Sequence, residues 1–171
     1  MNIILETERL ILREFVLTDT DFIIQLLNSP GWLAFIGDRH VTSEEQATNY
    51  LVNGPLKSYK QNGFGLSMVE LINERIPIGM CGILKRDELE SPDIGFAFLP
   101  EYSGHGYAYE ITSALIKFAR ERLELKQLFA ITVPANERSI RLLQKTGFTY
   151  RKKHISVNTK EELFLFSLNP L

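Results

Sequence analysis

The sequence predicts a single α/β domain over residues 1–171, built on a mixed, mostly antiparallel sheet of about seven strands. Two observations lead to that class. Three consecutive apolar runs between residues 64 and 99 are separated by turn-forming or charged residues, the pattern of an antiparallel meander. A run with helical spacing at Ala108, Ile111, Leu115 and Phe118 then lies between two strand-like runs, and such a crossover joins parallel neighbours. At 171 residues with 44% hydrophobic and 23% charged, the chain can bury roughly 70% of its unfolded surface in one core.

The elements follow in order. Arg9 to Phe15 alternates loosely and is rich in Leu and Ile, a strand; Thr18 and Asp19 then offer an N-cap for a helix through Phe22, Leu26 and Leu27. Pro30-Gly31 ends that helix. Thr42-Ser43-Glu44-Glu45 starts the next, which runs through Ala47 and Leu51 to Tyr59 with a break at Gly54-Pro55. Phe64 to Leu71, Pro77 to Leu84 and Asp93 to Leu99 form the meander, divided by Asn73-Glu74-Arg75 and by the charged Lys85 to Glu90 loop. After the Ala108 helix come a strand from Gln127 to Val133, a short helix from Glu137 to Thr146 that stops at Gly147, and strands Phe148 to Val157 and Glu161 to Leu168 around Asn158-Thr159. No internal repeat, low-complexity stretch or linker interrupts the chain.

Composition excludes several classes. The formal net charge of −2 lacks the basic excess of a nucleic-acid or anionic-membrane surface. Cys81 is the only cysteine, which rules out an internal disulfide framework, and it sits in the apolar run Met80-Cys81-Gly82-Ile83 without a nearby His or Lys to activate it. The start Met1-Asn2-Ile3-Ile4-Leu5-Glu6 lacks a basic region followed by a long apolar stretch, and no run spans a bilayer, so a cytoplasmic protein is expected. His40, His105 and His154 show no metal-ligand spacing, and no metal is expected.

The informative junction is Leu99-Pro100-Glu101-Tyr102-Ser103-Gly104-His105-Gly106-Tyr107-Ala108, two close glycines between a strand and a helix. Glycine leaves a ligand's approach unblocked, and the first N–H groups of a helix lack intrahelical acceptors, so this turn suits a phosphate. A dinucleotide fold would require a third glycine where Tyr109 stands and an acidic residue near Val133; a nucleoside-triphosphate loop would require Gly-Lys-Ser/Thr where Gly106-Tyr107-Ala108 stands. Gly95, inside the preceding strand, is read as a β-bulge that frees backbone groups for an extended amide-bearing ligand such as pantetheine.

Three segments, Asp93-Ile94-Gly95-Phe96, Pro100 to Glu110 and Asn136-Glu137-Arg138-Ser139-Ile140-Arg141-Leu142-Leu143-Gln144-Lys145-Thr146-Gly147-Phe148, resemble motifs of the GCN5-related N-acetyltransferase (GNAT) superfamily. Thr7-Glu8-Arg9-Leu10-Ile11-Leu12-Arg13 and Thr42-Ser43-Glu44-Glu45-Gln46-Ala47 are similar to its RimJ/RimL branch, so the likeness spans nearly the whole chain. Ser103 and Glu101 depart from the residues usual at those places. The resemblance implies the acyl-CoA N-acyltransferase fold, with a splayed parallel pair and helices on both faces, acetyl-CoA as co-substrate and direct transfer to an amine.

Residue roles follow from the same resemblance. Ser103, Gly104, His105, Gly106, Tyr107 and Ala108 would cradle the diphosphate, with Arg138, Arg141 or Lys145 meeting phosphate charge. Phe96, Phe98 and Leu99 would line the pantetheine arm, which Asn136 would hold by hydrogen bonds while also capping its own helix. A backbone N–H between Phe96 and Phe98 would meet the oxyanion. Asp93 is either the base, where the branch has Glu, or a carboxylate ending a strand turn; Ser139 is either the donor to the departing thiolate or a helix-surface hydroxyl. Trp32 and Phe35 either line the acceptor cleft or complete the core. The acceptor is the N-terminal amine of a protein or a small amine such as an antibiotic, polyamine or amino acid; a third reading is a catalytically idle CoA-binding module. Neither nucleic acid nor membrane is an expected partner, and the chain acts as a monomer or homodimer.

Overall fold

A computed structural model describes residues 2–169. In chain order the elements are β1 (Ile3–Glu6), β2 (Leu10–Arg13), a 3-10 turn (Leu17–Asp19), α1 (Thr20–Leu27), α2 (Pro30–Phe35), α3 (Glu44–Asn53), α4 (Pro55–Asn62), β3 (Leu66–Leu71), β4 (Pro77–Leu84), β5 (Asp93–Phe98), a 3-10 turn (Pro100–Tyr102), α5 (Tyr107–Glu121), β6 (Leu128–Thr132), α6 (Glu137–Lys145), β7 (Thr149–Ile155) and β8 (Glu162–Leu168). The strands make one eight-stranded sheet in the order β1-β2-β3-β4-β5-β6-β8-β7. Every neighbouring pair is antiparallel except β5 with β6, the parallel pair that the crossover through α5 requires.

Two hydrophobic clusters hold the layers. One packs α5 and α6 against one face of the sheet through Leu10, Leu12, Val69, Ile94, Ile111 and Leu115, among others. The other packs the α1–α4 region on the opposite face through Phe15, Ile23, Leu26, Leu51, Met68 and Met80. Beneath β6 and β8 that second face is closed differently, by Leu89 of the Lys85–Glu90 loop on Phe129 and Leu165. No helix among the described residues is long and apolar enough to cross a membrane.

Local chemistry explains most boundaries. Ser43 accepts the Gln46 N–H at 3.3 Å while the Gln46 side chain takes the N–H of Ser43 at 3.1 Å, the reciprocal box that starts α3. Gly54-Pro55 divides α3 from α4 as expected, since proline lacks the N–H a continuing helix needs. Pro30 differs from expectation: it begins α2 instead of merely ending α1, because the first turn of a helix needs no N–H there. β1 is an eighth strand beyond the seven expected; four residues at a sheet edge hold too little alternation to identify.

The bulge expected at Gly95 is absent. β5 pairs with β4 in unbroken register from Asp93↔Leu84 to Phe98↔Gly79, and the irregularity falls instead between β3 and β4, beside Ile78. Gly95 faces Gly82 across the ladder, where a Cβ on Gly82 would run into the backbone of Gly65 and Leu66, and one on Gly95 would press on Leu84 at 3.0 Å. Close packing, not a bulge, explains these glycines.

Asp19 is the N-cap of α1 as expected, but its side chain makes no bond to that helix: it accepts the Val16 N–H at 2.8 Å and serves a second task. Its carboxylate receives Arg13 Nη1 at 2.8 Å and Nη2 at 2.9 Å, while Arg13 Nε reaches Glu70 at 2.6 Å. Arg13, Asp19 and Glu70 are all buried, and the network ties β2 and β3 to the start of α1. Removing one member of a buried ionic network strands the others without water. Arg13→Met is therefore expected to lower the unfolding free energy by about 3–5 kcal/mol, read from the urea midpoint at constant m-value.

Candidate functional site

The cleft arises from the only parallel pair among the described strands. β5 contacts β6 in a single ladder pair, Asp93↔Phe129, whereas it is held by β4 along its whole length and β6 is held by β8 from Leu128↔Leu168 to Thr132↔Phe164. The Phe129 N–H donates to Pro92 O at 2.9 Å, and on the other edge the Leu99 N–H donates to Ile78 O at 2.9 Å. By strand alternation, the N–H and C=O groups of the even-numbered residues of β5 point toward β6. Past Ile94 the strands part, so the main-chain groups of Phe96 and Phe98 face the gap without a ladder partner. Gly95 through Phe98 are all partly exposed although they lie in the middle of an eight-stranded sheet.

The glycine turn stands at the open end of this gap. Gly104 and Gly106 both have φ of +82°, a left-handed backbone that side-chain-bearing residues enter at a cost of about 1–2 kcal/mol. Gly106 is the N-cap of α5, and Ser103, Gly104, His105 and Gly106 are exposed; the Ser103 N–H closes the preceding 3-10 turn on Pro100 O at 3.1 Å, which leaves the N–H groups of Gly104, His105 and Gly106 and the helix's positive end open to an anion. A Cβ on Gly104 would meet no protein atom within 4 Å.

A brace not anticipated from sequence fixes the turn. Glu110 accepts the Thr7 hydroxyl at 2.6 Å and the Arg9 main-chain N–H at 3.0 Å, and it pairs with the Arg9 guanidinium, whose Nε lies 2.7 Å away. Arg9 Nη1 also donates to His105 O at 3.0 Å, and the guanidinium lies 4.5 Å from the Tyr107 ring centre. Burial raises the Glu110 pKa, but the bonds from Thr7 and Arg9 and the charge of Arg9 outweigh it and hold the carboxyl below its ordinary value. The contact spans 101 residues of sequence, and only the family likeness of Thr7–Arg13 hinted that this segment had a task.

Across the gap, Asn136 caps α6 by accepting the Ser139 N–H at 3.2 Å, the capping role expected of it. Ser139 is half-buried and Arg141 is exposed, paired with Glu137 at 3.1 Å; Lys145 stands 4.3 Å from the Tyr109 ring centre, which turns the end of α6 toward the start of α5.

Asp93 lies at the closed end of the gap, 1% exposed, with Arg86 Nε at 3.0 Å from both carboxylate oxygens. Burial raises its pKa more than the Arg86 charge and hydrogen bond lower it. No hydrogen bond joins Asp93 to Ser139; they stand on opposite sides of the divergence. Arg86 is a second residue that sequence left unmarked, since nothing in a charged loop singles out the one cation that folds back on Asp93.

Trp32 and Phe35 separate. Trp32 is 6% exposed within the α1–α4 cluster with its indole N–H unpartnered, while Phe35 is exposed. Cys81 is fully buried, and burial pushes its thiol up to about 12, a state without nucleophilic character at neutral pH. Among the described residues no group of three or more His, Cys, Asp or Glu side chains is placed to hold a metal ion.

These features fit acetyl-CoA. A diphosphate matches the exposed turn with two left-handed glycines at the head of α5, and an amide-bearing arm matches the unpaired edge of β5. Acetyl-CoA held by these residues would supply the acetyl thioester.

Comparison with known proteins agrees. Residues 9–149 match the family model described as Acetyltransferase (GNAT) domain. The chain is 28% identical over 146 residues to the N-acetyltransferase YoaA of Bacillus subtilis, covering 85% of this chain and 82% of that one. A GNAT-family acetyltransferase structure from Bacillus anthracis superimposes with a TM-score of 0.80 at 23% identity, covering 99% of both chains. A ribosomal-protein-alanine acetyltransferase structure from Vibrio fischeri does so at 0.79 and 19% identity, covering 97% of this chain and 96% of that one. The open strand edge, the glycine turn and a family match over most of the sequence lead to one conclusion: this chain is an acyltransferase and belongs to the GNAT family.

Proposed function

We propose that the protein transfers the acetyl group of acetyl-CoA directly to a primary amine, the N-terminal amine of a protein. The observation that carries the transfer is the unpaired main-chain edge at Phe96 and Phe98, beside the glycine turn. A backbone N–H in that edge donates to the thioester oxygen as negative charge develops there, and its rigidity in the ladder with β4 means that it need not reorient. Asp93 takes the proton of the attacking amine through water, its raised pKa making it a stronger base than an ordinary carboxylate. Ser139 on α6 would donate its hydroxyl hydrogen bond to the departing thiolate.

The N-terminal acceptor is supported by the likeness to the Vibrio fischeri structure and by the RimJ/RimL-like opening at Thr7–Arg13. One feature favours a second reading, a small cationic amine. A groove of about 390 Å³ on the α1–α4 face, beside Leu99 and Tyr102, is lined by Asp21 and Glu101, and carboxylates at the rim attract polyamines.

A free-thiol assay with acetyl-CoA against peptides with free N-termini, polyamines, aminoglycosides and amino acids separates these readings. Peptides are expected to accelerate thiol release most; acceleration by no amine would overturn the reading, leaving a CoA-binding module. Three substitutions test the parts. Gly106→Trp is expected to abolish calorimetric CoA binding, because its φ of +82° strains any residue with a side chain and a Cβ there meets Arg9 Nη2 at 3.4 Å, so the indole displaces the cation that braces the turn.

Asp93→Asn should lower turnover by about 10²-fold. Since the base form is the carboxylate, wild-type kcat/KM falls as pH drops through the Asp93 pKa, which lies above the ordinary carboxylate range, and the substitution removes that acidic limb. Ser139→Ala should lower kcat by about 10²-fold while leaving the Kd for acetyl-CoA unchanged; normal turnover would remove Ser139 from the chemistry.

A further inference from the structure

The brace on the glycine turn reaches it from the far end of the sequence. Thr7 and Arg9 belong to the turn between β1 and β2, whereas Glu110 belongs to the opening of α5. The two oxygens of Glu110 are shared out: Oε1 takes the Thr7 hydroxyl at 2.6 Å and the Arg9 main-chain N–H at 3.0 Å, and Oε2 takes Arg9 Nε at 2.7 Å and Nη2 at 2.6 Å. An exposed ion pair alone contributes little. Here the guanidinium is fixed on three sides, by Glu110, by His105 O at 3.0 Å and by the Tyr107 ring, which is itself stacked with His105 at 5.7 Å.

The bond to His105 O has a directional consequence. A trans peptide unit is planar and points its C=O and N–H in opposite directions. With the His105 carbonyl drawn to Arg9, the N–H of the same peptide unit, that of Gly106, points away from Arg9 and out of the turn. Gly106 itself leaves no slack, because its left-handed φ is fixed and its own carbonyl accepts the Glu110 N–H at 3.0 Å.

We propose that Arg9, braced by Glu110 and Thr7, is a positioning residue that sets the direction of the Gly106 N–H and thereby the affinity of the turn for the diphosphate of the donor. The proposal depends on the acetyl-CoA reading of this turn and adds to it the residues that shape it. A rival explanation is that Arg9 acts by its charge on the phosphates. The two explanations give opposite signs for Glu110: removing a carboxylate near a polyanion strengthens binding by charge alone, but weakens it if the carboxylate holds the brace.

The experiment compares acetyl-CoA with S-acetylpantetheine, which carries the thioester and lacks the diphosphate, and measures CoA binding by calorimetry, with thermal melts to confirm folding. Arg9→Ala is expected to lower the ratio of kcat/KM for acetyl-CoA to that for S-acetylpantetheine by about 10- to 100-fold, the scale on which a misplaced supporting group acts. Glu110→Gln is expected to weaken CoA binding by about tenfold. Arg9→Lys, which keeps the charge and loses the fork, should resemble Arg9→Ala.

Unchanged or tighter CoA binding in Glu110→Gln, or full recovery in Arg9→Lys, would overturn the positioning role in favour of charge. An equal loss on both thioesters in Arg9→Ala would overturn it as a general defect of the site. If the wild-type enzyme used both thioesters equally, the turn would not read a diphosphate at all, and the functional reading would fall together with the role of Arg9.

Discussion

A strand in the interior of a sheet commits its N–H and C=O groups to two neighbours, and β5 has the second neighbour only at its beginning. One ladder pair, Asp93↔Phe129, joins it to β6 before the strands part. An unpaired backbone group costs free energy when it is sealed away from water, so an interior strand with an idle edge must stay open to solvent or be completed by a ligand. The partial exposure of Gly95 through Phe98 is the structural form of that constraint. An extended chain of amides is the ligand type that satisfies it, because it offers donors and acceptors along its length, as a missing strand would.

The divergence persists because each side of it is anchored elsewhere. β5 is zipped to β4 in unbroken register, and β6 is zipped to β8, so neither strand can shift to close the gap without breaking a complete ladder. The packing on the two faces reinforces this. α5 and α6 cover the strands in one continuous cluster, while the opposite face is divided between the α1–α4 cluster and the separate contact of Leu89 with Phe129 and Leu165. The Arg86–Asp93 pair sits where these regions meet, at the point from which β5 and β6 separate. The cleft is thus a consequence of topology, and the side chains around it act on a geometry already set by the backbone.

The glycine turn shows how a short motif depends on distant chain. Its two left-handed residues are a local matter, legible in sequence because only glycine takes that backbone freely. The orientation of the peptide between them is not local; it is decided by Arg9, which enters from the β1–β2 turn. The glycine turn and the N-terminal hairpin are therefore parts of one structure, and the buried Arg13 network a few residues on secures that hairpin to β3 and the start of α1.

Periodicity and punctuation made most of the fold legible. β4 matches its expected limits of Pro77 and Leu84, and the break at Gly54-Pro55, the box at Ser43 and the cap at Asn136 all lie in side chains or backbone restrictions that act within four residues. The turn at Gly104 and Gly106 belongs to the same class. What sequence misjudged is long-range: Gly95 is small to clear Leu84 instead of to make a bulge, the Asp19 carboxylate at the N-cap of α1 is turned to Arg13 and Val16 instead of to the helix, and β1 is a strand only because β2 lies beside it. The sequence by itself determined the elements, the parallel crossover and the phosphate-suited turn, because each follows from interactions between near neighbours along the chain. Only the tertiary structure decided where β5 and β6 part, which cation neutralises Asp93 and what aims the Gly106 N–H, because those contacts join residues whose separation in sequence carries no record of their meeting in space.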